Sequence, residues 1–453
     1  MDPLEGKMTG TSSPEDVSTR LQRIAMLARE DPERVLTTLA HHIDGELLRE
    51  AFRRTRKSGA VGVDGETAAE YGKDLDKRLE DLEGRFKSGR YYAPPVRRTY
   101  IPKGDGKTKR PIGIPGFEDK VLQRAVTMVL EAVYEEDFAD CSYGSRPGRS
   151  AHDALGALWG GLTEMGGGWV VELDIKSYFD TLDHSELRRI LDRRVRDGVI
   201  RRAIDKWLAA GVWEAGRVSH PMAGTPQGGV ISPLLANIYL HEVLDVWFAE
   251  DVKPRLRGRG FMVRYVDDAV LVFSNEADAR EVKDLLARRF SQYGLSLHPD
   301  KTRLLEFRPD RPGGDRRGGP RSFDFLGFTH HWGRGKKGRW VVKRKTAGSR
   351  MRRTLTRLNR WCRKHRHHPV VWQHERLSRA LRGWDNYYGY ASNQRALRTL
   401  RYELTRVWRK WLSRRTRGAP ITWDRFNRLL ARFPLPAPAV HRRGWSLAAN
   451  PSC

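Results

Sequence analysis

Apolar residues recur at helical spacing from residue 17 to about 57: Leu21, Ile24 and Leu27, then Leu47, Leu48 and Phe52, with a break around Asp31-Pro32. Asp64-Gly65 marks a turn before a second helical stretch, 66–86. Residues 91–101 are predicted extended, because Pro94-Pro95 keeps them out of helix, and 103–107 carry a hairpin turn signal. Helices are expected over 117–138, 184–208, 232–248 (with Pro233 in its first turn) and 277–290. The short apolar run 169–175 predicts one strand, and 261–273 predicts two strands around a tight turn. Residues 308–321, rich in Gly and Pro, read as a loop. After Trp340 the pattern is mainly helical to about 433, where Pro434, Pro436 and Pro438 end it. No internal repeat is present.

Composition narrows this picture. A chain of 453 residues with 39% hydrophobic and 31% charged positions has room for roughly two to four domains and is not a disordered polymer. No run approaches the ~18 consecutive apolar residues of a membrane span, and the polar first 20 residues lack a secretory core, so no membrane partner is expected. Cys141, Cys362 and Cys453 are too scattered for a disulfide framework or a zinc knuckle, so a reducing cytoplasm is the expected location.

Charge is more telling. The chain holds 84 Lys+Arg and 56 Asp+Glu; after residue 330 there are 32 bases and 4 acids, which leaves 52 of each in the first 330 residues. The whole excess of +28 therefore lies in the last 123 residues, together with 9 of the 14 tryptophans. That is a foldable basic module rather than a tail, and its field attracts polyanions whose counterions are released on binding.

The sharpest chemical feature is the segment 261–274, FMVRYVDDAVLVFS. Asp267 and Asp268 sit between two apolar strands, where adjacent carboxylates repel unless water or a cation neutralises them. A third carboxylate, Asp174, ends the apolar strand before it, and a buried strand ending in Asp needs a partner charge. Three such oxygen donors suit Mg2+, and two divalent ions ~3.5–4 Å apart form the clamp that drives in-line nucleotidyl transfer.

The order of motifs resembles the reverse transcriptase/maturase encoded by bacterial group II introns, over about residues 51–438. The carrying segments are SGAVGVDG (58–65), RRTYIPKGDGKTKRPIGIP (97–115), CSYGSRPGRSAHDAL (141–155), VVELDIKSYFD (170–180), AGTPQGGVISPLLANIYL (223–240), RYVDDAVLVF (264–273), GLSLHPDKT (294–302) and FDFLGF (323–328). The resemblance implies an α+β chain with a right-hand polymerase, fingers and palm, followed by an α-helical thumb or maturase domain. The division it suggests is a flexible leader (1–30), N-terminal extension and fingers (31–115), palm with part of the fingers (116–335), thumb/maturase (340–440) and tail (441–453).

It also implies roles. Asp174, Asp267, Asp268 and the carbonyl of Ile175 would hold two Mg2+ ions, with Mn2+ able to substitute. Phe179 falls at the position that excludes a 2′-hydroxyl, which makes dNTPs the expected substrate. Lys103 and Arg110 would hold the triphosphate, Arg as a bidentate fork. Gln227 would line the dNTP pocket, and Gly228-Gly229 would let template backbone approach. Lys301 would protonate the departing pyrophosphate. Phe325, Leu326 and Gly327, with Phe328, would grip the primer. Val266 stands where the family most often has Ala, adding two methyls beside the expected primer end.

GWDNYYGYAS (383–392) and residues 404–436 resemble the thumb helices, whose bases would meet phosphates while aromatics hold the helices together. The histidines of KHRHHPVVWQH (364–374) are expected on a basic RNA-facing surface rather than around zinc. Nothing after Trp445 resembles a DNA-endonuclease domain, so second-strand cleavage is not expected. The implied activity is RNA-directed DNA polymerisation from a DNA primer, with binding of a structured intron RNA to assist splicing and retrohoming. The implied setting is a bacterial cytoplasm, at the nucleoid when on target DNA, and some intron relatives act as homodimers. Two alternatives remain open: an RNA-binding splicing cofactor without polymerase activity, and a domesticated relative in DNA repair or phage defence.

Overall fold

A computed structural model describes residues 16–102, 108–219, 224, 228–309, 322–335, 337–415 and 420–441. Eleven strands occur among them: β1 Val96–Pro102, β2 Lys109–Ile114, β3 Gly168–Leu173, β4 Val212–Glu214, β5 Arg217–Ser219, β6 Gly260–Tyr265, β7 Asp268–Phe273, β8 Arg303–Phe307, β9 Ser322–Phe325, β10 Phe328–Arg334 and β11 Trp340–Thr346. They form three sheets among helices, the α+β class expected from the sequence.

The sheet that positions the site has the order β6-β7-β3-β8 and is antiparallel throughout. Both of its faces are covered, so its strands are apolar on both sides rather than alternating with polar residues. Val171 and Leu173 of β3 enter one core with the helices Phe117–Asp137, Ser232–Leu240 and Glu276–Gln292, while Val170 enters the other with Val263, Val270 and Val272. That second core is roofed by Ala154, Leu155 and Leu158 of a helix the pattern did not single out, Ala151–Met165. Ser150 and Asp153 cap its start reciprocally, satisfying two otherwise orphaned backbone donors.

A second sheet, β2-β1-β4-β5, carries the long β1–β2 hairpin in the expected place, with its turn outside the described residues. The expected helix over 184–208 is two, His184–Asp192 and Gly198–Ala209. Asp197 caps the second and also accepts backbone N–H groups of Leu39 and Ala40 at 2.7 and 2.8 Å, tying the N-terminal segment to the body. The stretch from Ser232 starts as an α-helix and winds wider over His241–Val252.

Two boundaries differ from expectation. The flexible leader set at 1–30 gives way at Val17, because Val17–Glu30 is a helix that buries Ile24 and Ala28. Residues 1–15 lie outside the described set. Mainly helical structure from Trp340 is also corrected, because Trp340–Thr346 is a strand paired over seven positions with β10, in the sheet β11-β10-β9. Its alternation decides this: Val342 and Arg344 point inward, and Arg344 lies over the Tyr390 ring at 4.2 Å. A division at 340 cuts this sheet, and the C-terminal helices begin at Gly348 instead: Gly348–Lys364, Val370–Tyr388, Gln394–Leu412 and Trp423–Arg432. Leu377, Leu381, Leu404, Trp408 and Phe426 form their core. Among the described residues no helix is long and apolar enough to cross a membrane.

Candidate active site at the strand ends

β6 and β7 join through a two-residue turn, Val266-Asp267, with Tyr265 opposite Asp268. Val266 holds φ at 59°, unusual for a β-branched residue, so this turn is strained and must be held by its surroundings. Arg264 holds it. Its guanidinium is fully buried, forms a bidentate pair with the equally buried Asp245, and donates to Asn237 Oδ1 at 3.0 Å and to the Val266 carbonyl at 3.1 Å. The Arg264 backbone pairs with the CSYGS segment: Tyr143 N donates to its carbonyl at 2.9 Å, and its own N–H donates to Cys141 O at 2.8 Å. Gly144 then presses on the turn so closely that a Cβ there would meet Val266 N at 2.5 Å.

β3 and β7 run antiparallel with Leu173 opposite Ala269, so one step further Asp174 comes alongside Asp268. The GLSLHPDKT segment fixes the backbone at this point. His298 N donates to Asp174 O at 2.8 Å, Lys176 N donates to Ser296 O at 2.8 Å, and Ile175 bridges Leu297. Lys301 Nζ reaches Asp174 Oδ2 at 2.9 Å.

The carboxylates feel one another. Burial raises Asp267, with Asp174's charge adding to it and Arg110 and Lys301 opposing. Asp268 is pushed up to about 6, first by burial and then by Asp267 and Asp174, while Arg350 and Lys301 pull it down. Asp268 keeps a solvent-exposed edge, so water screens part of that repulsion. Among the described residues no three His, Cys, Asp or Glu side chains close into a ready-made ion cage. The donor set nonetheless fits a hard divalent cation: oxygen-only, and crowded with like charge that a cation would relieve.

Two clefts meet at these residues. One, of about 430 Å³, is lined by Asp174, Asp268, Lys301, Leu326 and Arg350; the other, of about 440 Å³, by Phe179, Val266, Asp267, Asp268 and Leu326. Phe179 sits on the one-turn helix Tyr178–Thr181, where Tyr178 OH is anchored to Ala236 O at 2.7 Å. Leu326 and Gly327 form the turn between β9 and β10, with φ of 47° and 82°. Phe325 and Phe328 are buried beneath it, and Phe325 also lines the cleft with Asp174 and Lys301. Lys103 and Gln227 lie outside the described residues.

Gly228, expected to admit template backbone, packs closely against β2. A Cβ there would strike Gly113 O at 2.5 Å, so Gly228 makes room for β2, and its φ of 124° also requires glycine. Gln123, which the sequence did not mark, is buried and accepts the neighbouring Val230 N–H at 2.8 Å. Asp245, Asn237 and Arg350 also escaped the sequence reading, because a lone polar residue in a helix gives no local sign of its distant partner.

Comparison with known proteins agrees with this geometry. Residues 101–330 match the family described as reverse transcriptase (RNA-dependent DNA polymerase), and 349–430 match the group II intron maturase-specific domain. Over 228 residues the chain is 39% identical to the group II intron-encoded protein LtrA of Lactococcus lactis subsp. cremoris, covering 49% of this chain and 37% of LtrA. Over 327 residues it is 36% identical to protein YkfC of Escherichia coli (strain K12), covering 64% of this chain and 84% of YkfC. The chain thus spans well under half of LtrA and most of YkfC. With both matches falling on the segments that build the strand-end carboxylates and the basic helices, the chain belongs to the reverse transcriptase family, in the group that carries a group II intron maturase-specific domain.

Proposed function

We propose that the chain is an RNA-directed DNA polymerase that adds dNTPs to a primer 3′-hydroxyl and also binds structured group II intron RNA to assist splicing and retrohoming. The observation that carries the reading is the meeting of Asp174, from the end of β3, with the Val266–Asp267 turn and Asp268 of β7 at two adjoining clefts. In this reading the β1–β2 hairpin is the fingers, the central sheet the palm and the C-terminal helices the thumb.

Asp174, Asp267, Asp268 and the Ile175 carbonyl would hold two Mg2+ ions. Such ions, when bound, supply an activated hydroxyl and neutralise pyrophosphate. Phe179, in the cleft with Asp267, meets the sugar edge of an incoming nucleotide and excludes a 2′-hydroxyl. Arg110, whose charge reaches Asp267, orients the triphosphate with Lys103, and Gln227 lines the same pocket. Lys301 is within reach of the reacting groups to give a proton to the leaving pyrophosphate. Leu326 and Gly327 hold the primer strand from the opposite wall.

The C-terminal helices add a basic surface in which few tryptophans are spare. Trp384 and Trp408 are buried, Trp408 donating to Gln373 Oε1 at 2.9 Å, while Trp423 is exposed beneath the Arg409 guanidinium at 4.2 Å. Phosphate contacts from this surface suit RNA read by shape. Primer extension on poly(rA)/oligo(dT) with Mg2+ tests the polymerase. DNA product that disappears in Asp267→Asn is expected, and absence of product from the wild-type chain leaves an RNA-binding cofactor. A domesticated role in DNA repair or phage defence would use the same site; a folded intron flanking the coding sequence favours the intron reading.

A further inference from the structure

The segment 224–231 has two described ends, and they are tied to different parts of the molecule. Gln227, expected to line the dNTP pocket, stands between them in the sequence.

The near end is held by the residues that follow Phe179. Gly224 N donates to Leu182 O at 2.8 Å, and His184 Nε2 donates to Gly224 O at 2.6 Å. A Cβ on Gly224 would meet Phe179 O at 2.8 Å, so the segment starts hard against the backbone of Phe179. The far end is held by Gln123, 107 positions before Val230. Its Oε1 accepts Val230 N–H at 2.8 Å and Ile231 N–H at 3.4 Å.

Nothing nearby can take over that task. The helix Ser232–Leu240 has no side-chain cap of its own, because Ile231 stands at the capping position. The void between Asp119, Gln123, Gly229 and Ile231 is about 10 Å³, room for one water at most. Gln123 is 4% exposed, so its oxygen has exchanged water for these backbone donors. Its helix, Phe117–Asp137, follows β2 directly through Pro115-Gly116, so Gln123 and Arg110 stand on connected elements.

We propose that Gln123 is a positioning residue for the incoming nucleotide: it fixes the far end of the 224–231 segment and, through it, the wall of the dNTP pocket. Gln123 lines neither of the two clefts, so it acts only through the backbone it holds. The inference rests on the polymerase reading above and deepens it.

The test is single-nucleotide incorporation by the full chain. Gln123→Met keeps the length of the side chain and removes the acceptor. It is expected to raise KM for dNTP about 3–10-fold, the worth of one neutral hydrogen bond, with kcat and the KM for primer–template nearly unchanged. Gln123→Glu, which keeps an oxygen at the same reach, should recover most of the loss. Thr127→Val removes another buried polar group of the same helix, one that donates to Gln123 O at 2.7 Å and does not touch Val230. It should lower the melting temperature and leave KM for dNTP as in the wild type. If Gln123→Met does not fold, Gln123→Asn, which draws the amide back by one methylene, takes its place with the same expectation. An unchanged KM for dNTP in the folded variant overturns the proposal, as does an equal rise in Thr127→Val or a loss confined to kcat. If wild-type enzyme extends no primer at all, the polymerase reading itself has failed.

Discussion

Lys301 Nζ lies 2.9 Å from Asp174 Oδ2 although 127 positions separate the two residues. Both side chains retain solvent contact, so the pair contributes little to stability and its ammonium is free to exchange partners. Lys301→Met is therefore expected to leave the melting temperature nearly unchanged. If Lys301 is the general acid, the same change lowers kcat for nucleotide addition by about 10²-fold or more, within the range of general acid catalysis. Single-nucleotide incorporation under saturating dNTP checks this, and an unaltered kcat would remove Lys301 from proton transfer.

Crowding of the carboxylates predicts a pH dependence of stability. Asp268 is pushed up to about 6 in the folded chain, against ~3.9 for a free carboxyl. The folded state thus binds a proton that the unfolded state lacks across that window, and stability from this group is gained as pH falls through 6 towards ~4. Asp268→Asn removes the charge at every pH. In EDTA the variant should melt above the wild type at pH 7, and the gap should shrink by pH 5. Parallel melting curves across that range would sink the idea.

The ring of Phe179 shares a cleft with Asp267 and Asp268. Phe179→Val or Phe179→Ala should raise ribonucleotide incorporation relative to deoxyribonucleotide by about an order of magnitude or more, as a cavity opens where the 2′-hydroxyl would sit. Competing rNTP and dNTP in a primer-extension assay measures the ratio; unchanged selectivity would make Phe179 an ordinary core aromatic.

The buried Arg264–Asp245 pair bears on both stability and turn geometry. Arg264→Met strands a buried carboxylate and should cost about 3–5 kcal/mol. Asp245→Leu combined with Arg264→Met should recover most of that cost, because two apolar groups need no partners. Neither variant restores the donor to the Val266 carbonyl, so polymerisation should remain impaired in both. Chemical denaturation beside primer extension separates the two effects. A double variant with full activity would show that the turn holds itself.

Affinity for RNA should fall steeply with salt, because the basic excess lies after residue 330. Filter binding across a salt series gives the slope; a flat response would mean that contacts other than phosphate dominate.

The sequence by itself determined the α+β class, most helices, the hairpin around Asp267-Asp268, the Asp at the end of β3 and the concentration of positive charge. These are local quantities: hydrophobic period, turn residues and charge count can be read over ten or twenty positions without knowing what lies opposite. Tertiary structure alone decided the rest. Trp340–Thr346 became a strand because β10 offered a partner, Gly228 came to pack against β2, and Phe325 was buried beneath the β9–β10 turn. Arg264, Asp245 and Arg350 acquired meaning only from neighbours tens or hundreds of positions away. The physical reason is that a buried charge or a close backbone approach is defined by two surfaces at once, and one stretch of chain carries only one of them.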